Sequence, residues 1–372
     1  VNTVKASTKQ LNILVEIMHG LGDTVCALAL LKGVRYLYPD AKLTVLCKMK
    51  SGRDIIESSY ISIDKIIVLD VYKNIYTSFK TIMNLRKQNF DIGISAGITP
   101  VKKSQLFMKL CGVKEHIGFQ ASGTNKYDYN MHFVEANVKT LGLEFNDELR
   151  PQLYVDTDSD KSICHYFDGL DQARPIIGLC IGNADPSLTN RWLRTGRVFP
   201  KAWGITRMRE LIKLLVNKDY QVVLIGGNQE KPLLEELHEF LGLSKVVNLV
   251  GKCSIKQSMA AIKRCTCSIG IDTGMQHIAG ALSVPTISIF GPTNPKYIGP
   301  FSTCSYFVEH EVSCKYCYGT DRYIHCKDRR CLTEISPQQV MDIVERVLEK
   351  IFIDILISLS GKNKVYRAVL YL

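Results

Sequence analysis

The sequence predicts an α/β chain of two domains, each a parallel sheet covered by helices. Three observations lead there. At 372 residues the chain exceeds what a single core usually serves. Strand-like apolar runs alternate with helix-like spacing through both halves. A polar, Asp-rich interval at residues 144–174 separates two stretches in which that alternation starts afresh. The expected units are residues 1–160 and 161–340, facing each other across a cleft, with helix and tail over residues 341–372.

Leu11–Ile17 is an apolar-rich run interrupted at Glu16, a first strand that leads into Gly20-Leu21-Gly22-Asp23. Val25, Leu28, Leu31, Val34 and Tyr38 then recur at helical spacing, and Pro39-Asp40 ends that helix. Leu43–Leu46, Ile66–Leu69 and Asp91–Ser95 read as further strands. Ile75–Gln88, Lys103–Leu110 and Met131–Leu141 read as helices, with a short one near Ser162–Asp168. Past the polar interval, Pro175–Cys180 is a strand running into Gly182-Asn183. Met208, Leu211, Ile212 and Leu215 mark an amphipathic helix. Gln221–Ile225 is a strand ending at Gly226-Gly227, followed by a helix over Glu230–Leu241. Val246–Leu249 and Ile255–Ile262 carry the alternation onward. Ser336-Pro337 opens a last helix to about Phe352, a cap followed by proline in the first turn.

Residues 269–300 say most about function. A strand ends at Asp272, Thr273-Gly274 turns, a helix follows from about Met275 to Leu282, and Thr286–Phe290 is the next strand, into Gly291-Pro292-Thr293. Ligands of such βαβ units sit at the carboxyl ends of the strands. Those ends carry Asp272, Thr273, Gly274, His277, Gly291 and Thr293. A helix start offers free N–H groups and a positive dipole end, which suits a phosphate. Asp272 is either a helix cap or a ligand; the nearby His277 and Thr293 favour the second.

Gly20-Leu21-Gly22-Asp23 fails as a dinucleotide fingerprint. The third glycine position is Val25, and no acidic residue ends the second strand. Instead Gly20 and Gly22 let the loop pass close to a substrate, with Asp23 toward the cleft. That carboxylate either caps the helix or accepts a proton from an attacking hydroxyl. A helix start is expected to lower its pKa.

Bulk properties exclude several classes. No apolar run reaches the roughly 18 residues of a membrane helix. The polar start, Val1–Gln10, lacks the apolar core of a signal peptide, and Val1 in place of Met reads as a processed, trimmed or partial chain. The net charge is +11: residues 1–160 hold 20 Lys/Arg and 17 Asp/Glu, a net +3, and residues 161–372 hold 27 and 19, a net +8. A basic run covers Arg191, Arg194, Arg197, Lys201, Arg207 and Arg209, and suits an anionic membrane face, a phosphorylated substrate or nucleic acid, or is simply a solvated basic loop. Most of the 13 cysteines lie singly in apolar segments, as small core residues of a reducing compartment. Cys314, Cys317, Cys326 and Cys331 differ: four thiols at this spacing are a candidate Zn or Fe staple.

The string Asp-Thr-Gly-x-x-His-x-Ala, then Phe-Gly-Pro-Thr-x-Pro and Gly-Pro, resembles the bacterial lipopolysaccharide heptosyltransferases, glycosyltransferase family 9. Gly20–Asp23 after a strand is similar to the family's first loop, Gly226–Glu230 to its Gly-Gly-x-x-Glu, and Lys201 with Trp203 to its Lys-x-Trp element. The resemblance implies a GT-B fold, with the acceptor on the first domain and a nucleotide-sugar on the second. It implies inverting transfer of a heptose from ADP-heptose to lipopolysaccharide core or a related glycan. By position, Asp23 is the general base and Lys201 neutralises the leaving diphosphate. Glu230 holds the ribose, and Gly182, Asp272, Thr273, Gly274, His277 and Thr293 line the donor site. No catalytic cofactor is required, because a helix start and a Lys meet the leaving charge. Cysteines recur in this part of family members, and some relatives that glycosylate proteins bind iron with them. The chain departs from the pattern between residues 183 and 200, where it is longer and more basic, so Arg191, Arg194 or Arg197 is an alternative to Lys201. The implied setting is cytoplasmic, peripheral at the anionic inner face of the membrane, with no nucleic acid as partner. Two other readings stand beside it: a protein O-glycosyltransferase of the same fold, and a metal-stapled nucleotide-sugar-binding protein without turnover.

Overall fold

The computed structural model describes residues 10–69, 75–97, 101–118, 131–182, 201–326 and 328–359. Arg191, Arg194 and Arg197 lie outside them. Two wholly parallel sheets form. The first contains β1 (Asn12–Ile17), β2 (Lys42–Cys47), β3 (Lys65–Val68), β4 (Ile92–Ser95) and β5 (Glu115–Gly118), in the order β3-β2-β1-β4-β5. The second contains β6 (Ile176–Cys180), β7 (Gln221–Ile225), β8 (Val246–Asn248), β9 (Cys267–Ile271), β10 (Thr286–Ile289) and β11 (Ser305–Val308), in the order β11-β10-β9-β6-β7-β8. In each sheet the first strand is central and the winding reverses beside it, between β1 and β4 and between β6 and β9. The crevice outside the carboxyl ends at such a reversal is where open α/β sheets take ligands.

The central strands β6, β7, β9 and β10 are buried throughout, as continuous apolar runs covered on both faces should be. The edge strands β5 and β11 are short and half exposed, which is why their pattern is weak in sequence. The helix Lys50–Glu57 likewise escapes the pattern.

Two helices differ from expectation. The first predicted helix is broken at Ala27 into α1 (Leu21–Cys26) and α2 (Leu28–Leu37). Ala27 turns at ψ −8°, and Val25 and Leu28, three residues apart, are both in the core. Residues Asn228–Phe240 form 3-10 helical turns, with Pro232 inside them. Proline supplies no N–H and clashes with the carbonyl four residues back, so an α-helix cannot run through.

The remaining helices used below are α3 (Lys50–Glu57), α4 (Ile75–Arg86), α5 (Val101–Leu110), α6 (Phe133–Lys139), α7 (Thr157–Cys164), α8 (Ile205–Asn217), α9 (Ile255–Lys263), α10 (Gly274–Ala281) and α11 (Pro337–Leu359). The last extends beyond Phe352. It packs on α8 and buries Val340, Met341, Val344 and Val347 in the second sheet's core.

The halves are joined by more than a hinge. One apolar cluster runs from Ile13, Val15 and Leu28 to Met259, Ile278 and Val284. Leu153 N–H donates to Ala281 O at 2.9 Å, and Lys256 pairs with Glu57 at 3.1 Å. The contact that positions the site is α1 against α10. A β-carbon on Gly274 would lie 2.5 Å from Leu21 Cβ and 3.0 Å from Gly22 N, so glycine is what allows this approach. Among the described residues, no helix is long and apolar enough to cross a membrane.

Candidate active site at the junction of the two sheets

Asp23 stands in the first turn of α1, just past β1. Its Oδ2 accepts from Gly20 N–H at 3.3 Å, so the capping role is real. The expected consequence is not. Burial pushes the carboxyl up to about 6, against the lowering pull of the Gly20 hydrogen bond and the Lys201 charge; the Asp272 carboxylate adds to the rise. The helix-start effect predicted from sequence is outweighed by loss of water. A carboxyl poised near neutrality is a better general base than an ordinary aspartate.

Lys201 enters from the other domain. Its Nζ donates to Asp272 Oδ2 at 2.6 Å and lies 4.4 Å from the centre of the Tyr318 ring. Thr293 Oγ1 donates to the same Asp272 oxygen at 2.7 Å. Burial alone would raise Asp272, but the charge and hydrogen bond of Lys201, with the Thr293 bond, hold it below the usual carboxylate range. The two residues expected to meet a ligand separately, Lys201 and Asp272, are thus partners of each other. The loop bearing Lys201 is fixed from below. Trp203 is wholly buried and its Nε1–H donates to Ile335 O at 2.9 Å, while Arg329 donates to Ala202 O at 2.7 Å.

His277 lies one turn into α10, buried under Gly22. Burial drops its pKa to about 4, partly offset by Asp272 and reinforced by Lys201, so the imidazole is neutral at physiological pH. Its Nδ1 is 3.7 Å from Cys26 Sγ. Burial raises the Cys26 thiol, with Asp23 and Asp272 adding to it, so the thiol keeps its proton beside Nδ1. At the start of α10, Thr273 Oγ1 is buried and has no hydrogen-bond partner among the described residues. An orphaned hydroxyl beside free helix-start N–H groups is a provision for an anion.

Gly182 and Glu230 form the neighbouring corner, past the ends of β6 and β7. Glu230 Oε2 accepts from Gly227 N–H at 2.7 Å, and burial raises its carboxyl. A β-carbon on Gly182 would overlap Glu230 Cγ at 2.0 Å, so the glycine is required for the carboxylate to sit there.

The structure thus brings Asp23, Lys201, Asp272, Thr273, Gly274, His277 and Thr293 to one junction, lined by Gly22 and backed by Gly20 at the cap of α1. Cys26 and Tyr318 belong to it and were not singled out from sequence. Cys26 sits three residues after Asp23, on the same helical face; nothing in the sequence flags Tyr318.

The four C-terminal cysteines share a neighbourhood. Burial raises the Cys331 thiol to about 11, and Cys317, Cys326 and Cys314 push the same way. As they stand, however, they do not fit a metal ion: no group of three His, Cys, Asp or Glu side chains that could hold one exists among the described residues. Cys326 Sγ donates to Asp328 O at 2.6 Å, and Cys331 Sγ packs close to Gly291, where an added β-carbon would stand 3.0 Å from it and 2.6 Å from Leu332 Cγ. Backbone bonds staple the loop instead, Tyr318 N–H to Pro292 O at 2.8 Å among them, and that bond sets Tyr318 beside Lys201.

With this geometry in hand, comparison is informative. The family model of glycosyltransferase family 9 (heptosyltransferase) matches residues 79–326. Lipooligosaccharide heptosyltransferase 2 of Haemophilus influenzae is 30% identical over 161 residues, 41% of this chain and 43% of that protein, so the match spans less than half of that relative's length. The crystal structure of a family 9 glycosyl transferase from Veillonella parvula superposes with a TM-score of 0.75 at 19% identity, over 93% of this chain and 100% of the other. The E. coli ADP-heptose lipopolysaccharide heptosyltransferase II superposes with a TM-score of 0.70 at 22% identity, over 91% and 99%. At these identities the likeness establishes the fold, which is GT-B.

Proposed function

The chain belongs to glycosyltransferase family 9, and on that premise we propose that it transfers a heptose, with inversion, from ADP-heptose to lipopolysaccharide core or a related glycan. The observation that carries this reading is the apposition of a base and an anion cradle from different domains. Asp23, raised to about 6, feels both Lys201 and Asp272 across the junction.

In the proposed reaction the acceptor hydroxyl attacks the anomeric carbon. Its proton passes to the Asp23 carboxylate as the new C–O bond forms. The bond from that carbon to the diphosphate breaks, and its electron pair leaves on the phosphate oxygen. That charge is met by Lys201, by the start of α10 and by the orphaned Thr273 hydroxyl. The neutral His277 lines the site without adding charge. Asp272 orders Lys201 and Thr293 and lies where donor hydroxyls arrive. Glu230, beside Gly182, is the ribose ligand. The donor identity leans on the likeness to the E. coli ADP-heptose lipopolysaccharide heptosyltransferase II. Transfer from the cytoplasmic side onto a membrane-borne acceptor follows from the same reading.

The test is a thermal-shift screen across ADP-, UDP-, GDP- and CMP-sugars, followed by transfer assays. ADP-heptose should stabilise most, since a ligand of the folded state raises the midpoint by mass action. Asp23→Ala should abolish transfer and spare donor binding, whereas Asp272→Ala should weaken donor binding. Equal stabilisation by all four nucleotides would remove the ADP assignment.

A further inference from the structure

Helices α4 and α5 lie together over the same face of the first sheet. Leu85 and Phe90 pack there with Met108 and Cys111 above Leu14 and Leu46. Arg86 Nη1 reaches the Lys109 and Leu110 carbonyls at 3.4 and 3.3 Å and ties the two helix ends. Their outer faces are unusual. On α4, Tyr76, Phe79, Lys80 and Met83 follow one another at helical spacing, extended by Lys87, and all are exposed; Tyr76 is 74% and Phe79 62% accessible. On α5, Lys102, Lys103, Leu106, Lys109 and Leu110 are exposed, Leu106 at 61%.

The charge is one-sided. Residues 71–114 hold eight Lys/Arg and a single acid, Asp91. Asp91 is occupied by Lys114 at 2.7 Å. Among the described residues, Lys80, Lys87, Lys102, Lys103 and Lys109 are in no ion pair with a carboxylate. A protein partner built for this face would have to be both acidic and apolar. An anionic bilayer supplies both at once: headgroups for the lysines and acyl boundary for the aromatic and aliphatic tips.

We propose that the α4–α5 face is a membrane-docking surface for anionic phospholipid. The proposal rests on the reading that the acceptor is lipid-borne, and it places the docking on the acceptor-side domain rather than on the more basic second half. Phe79, Met83, Leu106 and Leu110 would enter the interface, and the surrounding lysines would hold the headgroups.

The test uses the full chain in vesicle co-sedimentation, with phosphatidylglycerol-containing vesicles against pure phosphatidylcholine. The wild type should prefer the anionic vesicles, and salt should weaken that preference. A basic residue near such a surface is worth about fivefold in partition, so Lys80→Glu/Lys103→Glu/Lys109→Glu, which removes three cations and adds three anions, should lower it by at least about a hundredfold. Phe79→Ser/Leu106→Ser should also lower partition and leave the remainder wholly salt-sensitive. Both variants should keep their ADP-induced thermal shift and their transfer to a delipidated acceptor in solution. No preference of the wild type for anionic vesicles, or no effect of the charge reversals, overturns the proposal. So does a concentration-dependent dimer that both variants abolish, since a second copy would then cover the face. Vesicle binding without transfer to any glycan would overturn the heptosyltransfer reading and leave the docking surface standing. Transfer without vesicle binding would do the reverse.

Discussion

The imidazole of His277 lies directly beneath Gly22, so that a β-carbon on residue 22 would stand 2.8 Å from Cδ2 and 3.1 Å from Nε2. The ring cannot retreat, because it is buried and its Nδ1 already meets Cys26 Sγ at 3.7 Å. One of the contacts between α1 and α10 is therefore a glycine set directly on a neutral histidine. Gly22→Ala should force α1 away from α10, cost about 1–3 kcal/mol of stability by overpacking, and weaken ADP binding at least as much. Gly169→Ala is the control: nothing lies within 4 Å of its added carbon. Urea unfolding and titration calorimetry on both variants check this.

Asp23 should trade stability for activity. Its folded pKa of about 6 is above its ordinary value of 3.8, so the folded state holds a proton through that window and the unfolded state does not. This contribution favours the fold below about 3.8 and is lost as pH rises through about 6. At neutral pH the ionised carboxylate is a burden of about 2 kcal/mol after solvent screening. Asp23→Asn should therefore raise the melting temperature while transfer falls at least a hundredfold. A residue that only capped α1 would do neither. In the wild type, kcat/KM should fall as pH drops through about 6, because the base is then protonated.

Two histidines set the acid limit of the fold. His132 and His277 are both held at about 4 by burial, well below 6.5. His132 Nδ1 accepts from Val134 N–H and its Nε2–H donates to Gly299 O at 2.9 Å, so a proton has no place on Nδ1. Here the unfolded state binds more protons, and stability is lost as pH falls from 6.5 toward 4. Each histidine is worth up to about 3 kcal/mol, so the pair outweighs the opposite slope of Asp23. Calorimetry across this window should show the midpoint falling with pH. His132→Gln should remove most of that slope, because Asp23 then offsets the one histidine that remains.

Lys201→Ala should leave Asp272 buried without its cation and destabilise the protein by about 3 kcal/mol. Adding Asp272→Asn should recover most of that loss. Both the single and double variants should bind ADP poorly, since the cation proposed to meet the diphosphate is gone from each. A double-mutant cycle in stability, run beside ADP titrations, separates the two roles.

How much of this was legible depended on where the signal lay. The central strands β1, β6 and β9 are written as apolar runs ending in glycine or Asp, so both sheets and their carboxyl-end residues could be read. Asp23, Asp272, His277 and Thr293 were legible as candidates because each follows such a strand end. β5 and β11 were not, because a half-exposed four-residue edge has no clear period. Cys26 and Tyr318 were not, because each meets its partner over a long separation, 251 residues for Cys26 and His277. The raised Asp23 pKa was read with the wrong sign: local helix geometry is in the sequence, whereas burial by a second domain is not. Net charge per half pointed to residues 161–372, while the lysines interleaved with exposed aromatics lie in residues 71–114. Composition counts charges and cannot see which of them share a face.

The central claim is that Asp23 is the base opposite a donor cradle built by Lys201, Asp272 and the start of α10. Single-turnover transfer of heptose from ADP-heptose to a delipidated core acceptor, wild type against Asp23→Asn, tests it most directly when donor affinity is measured on the same samples. The account predicts a loss of at least a hundredfold in the transfer step with ADP-heptose affinity within about threefold of wild type. Transfer at an undiminished rate, or a loss explained entirely by weaker donor binding, would contradict it.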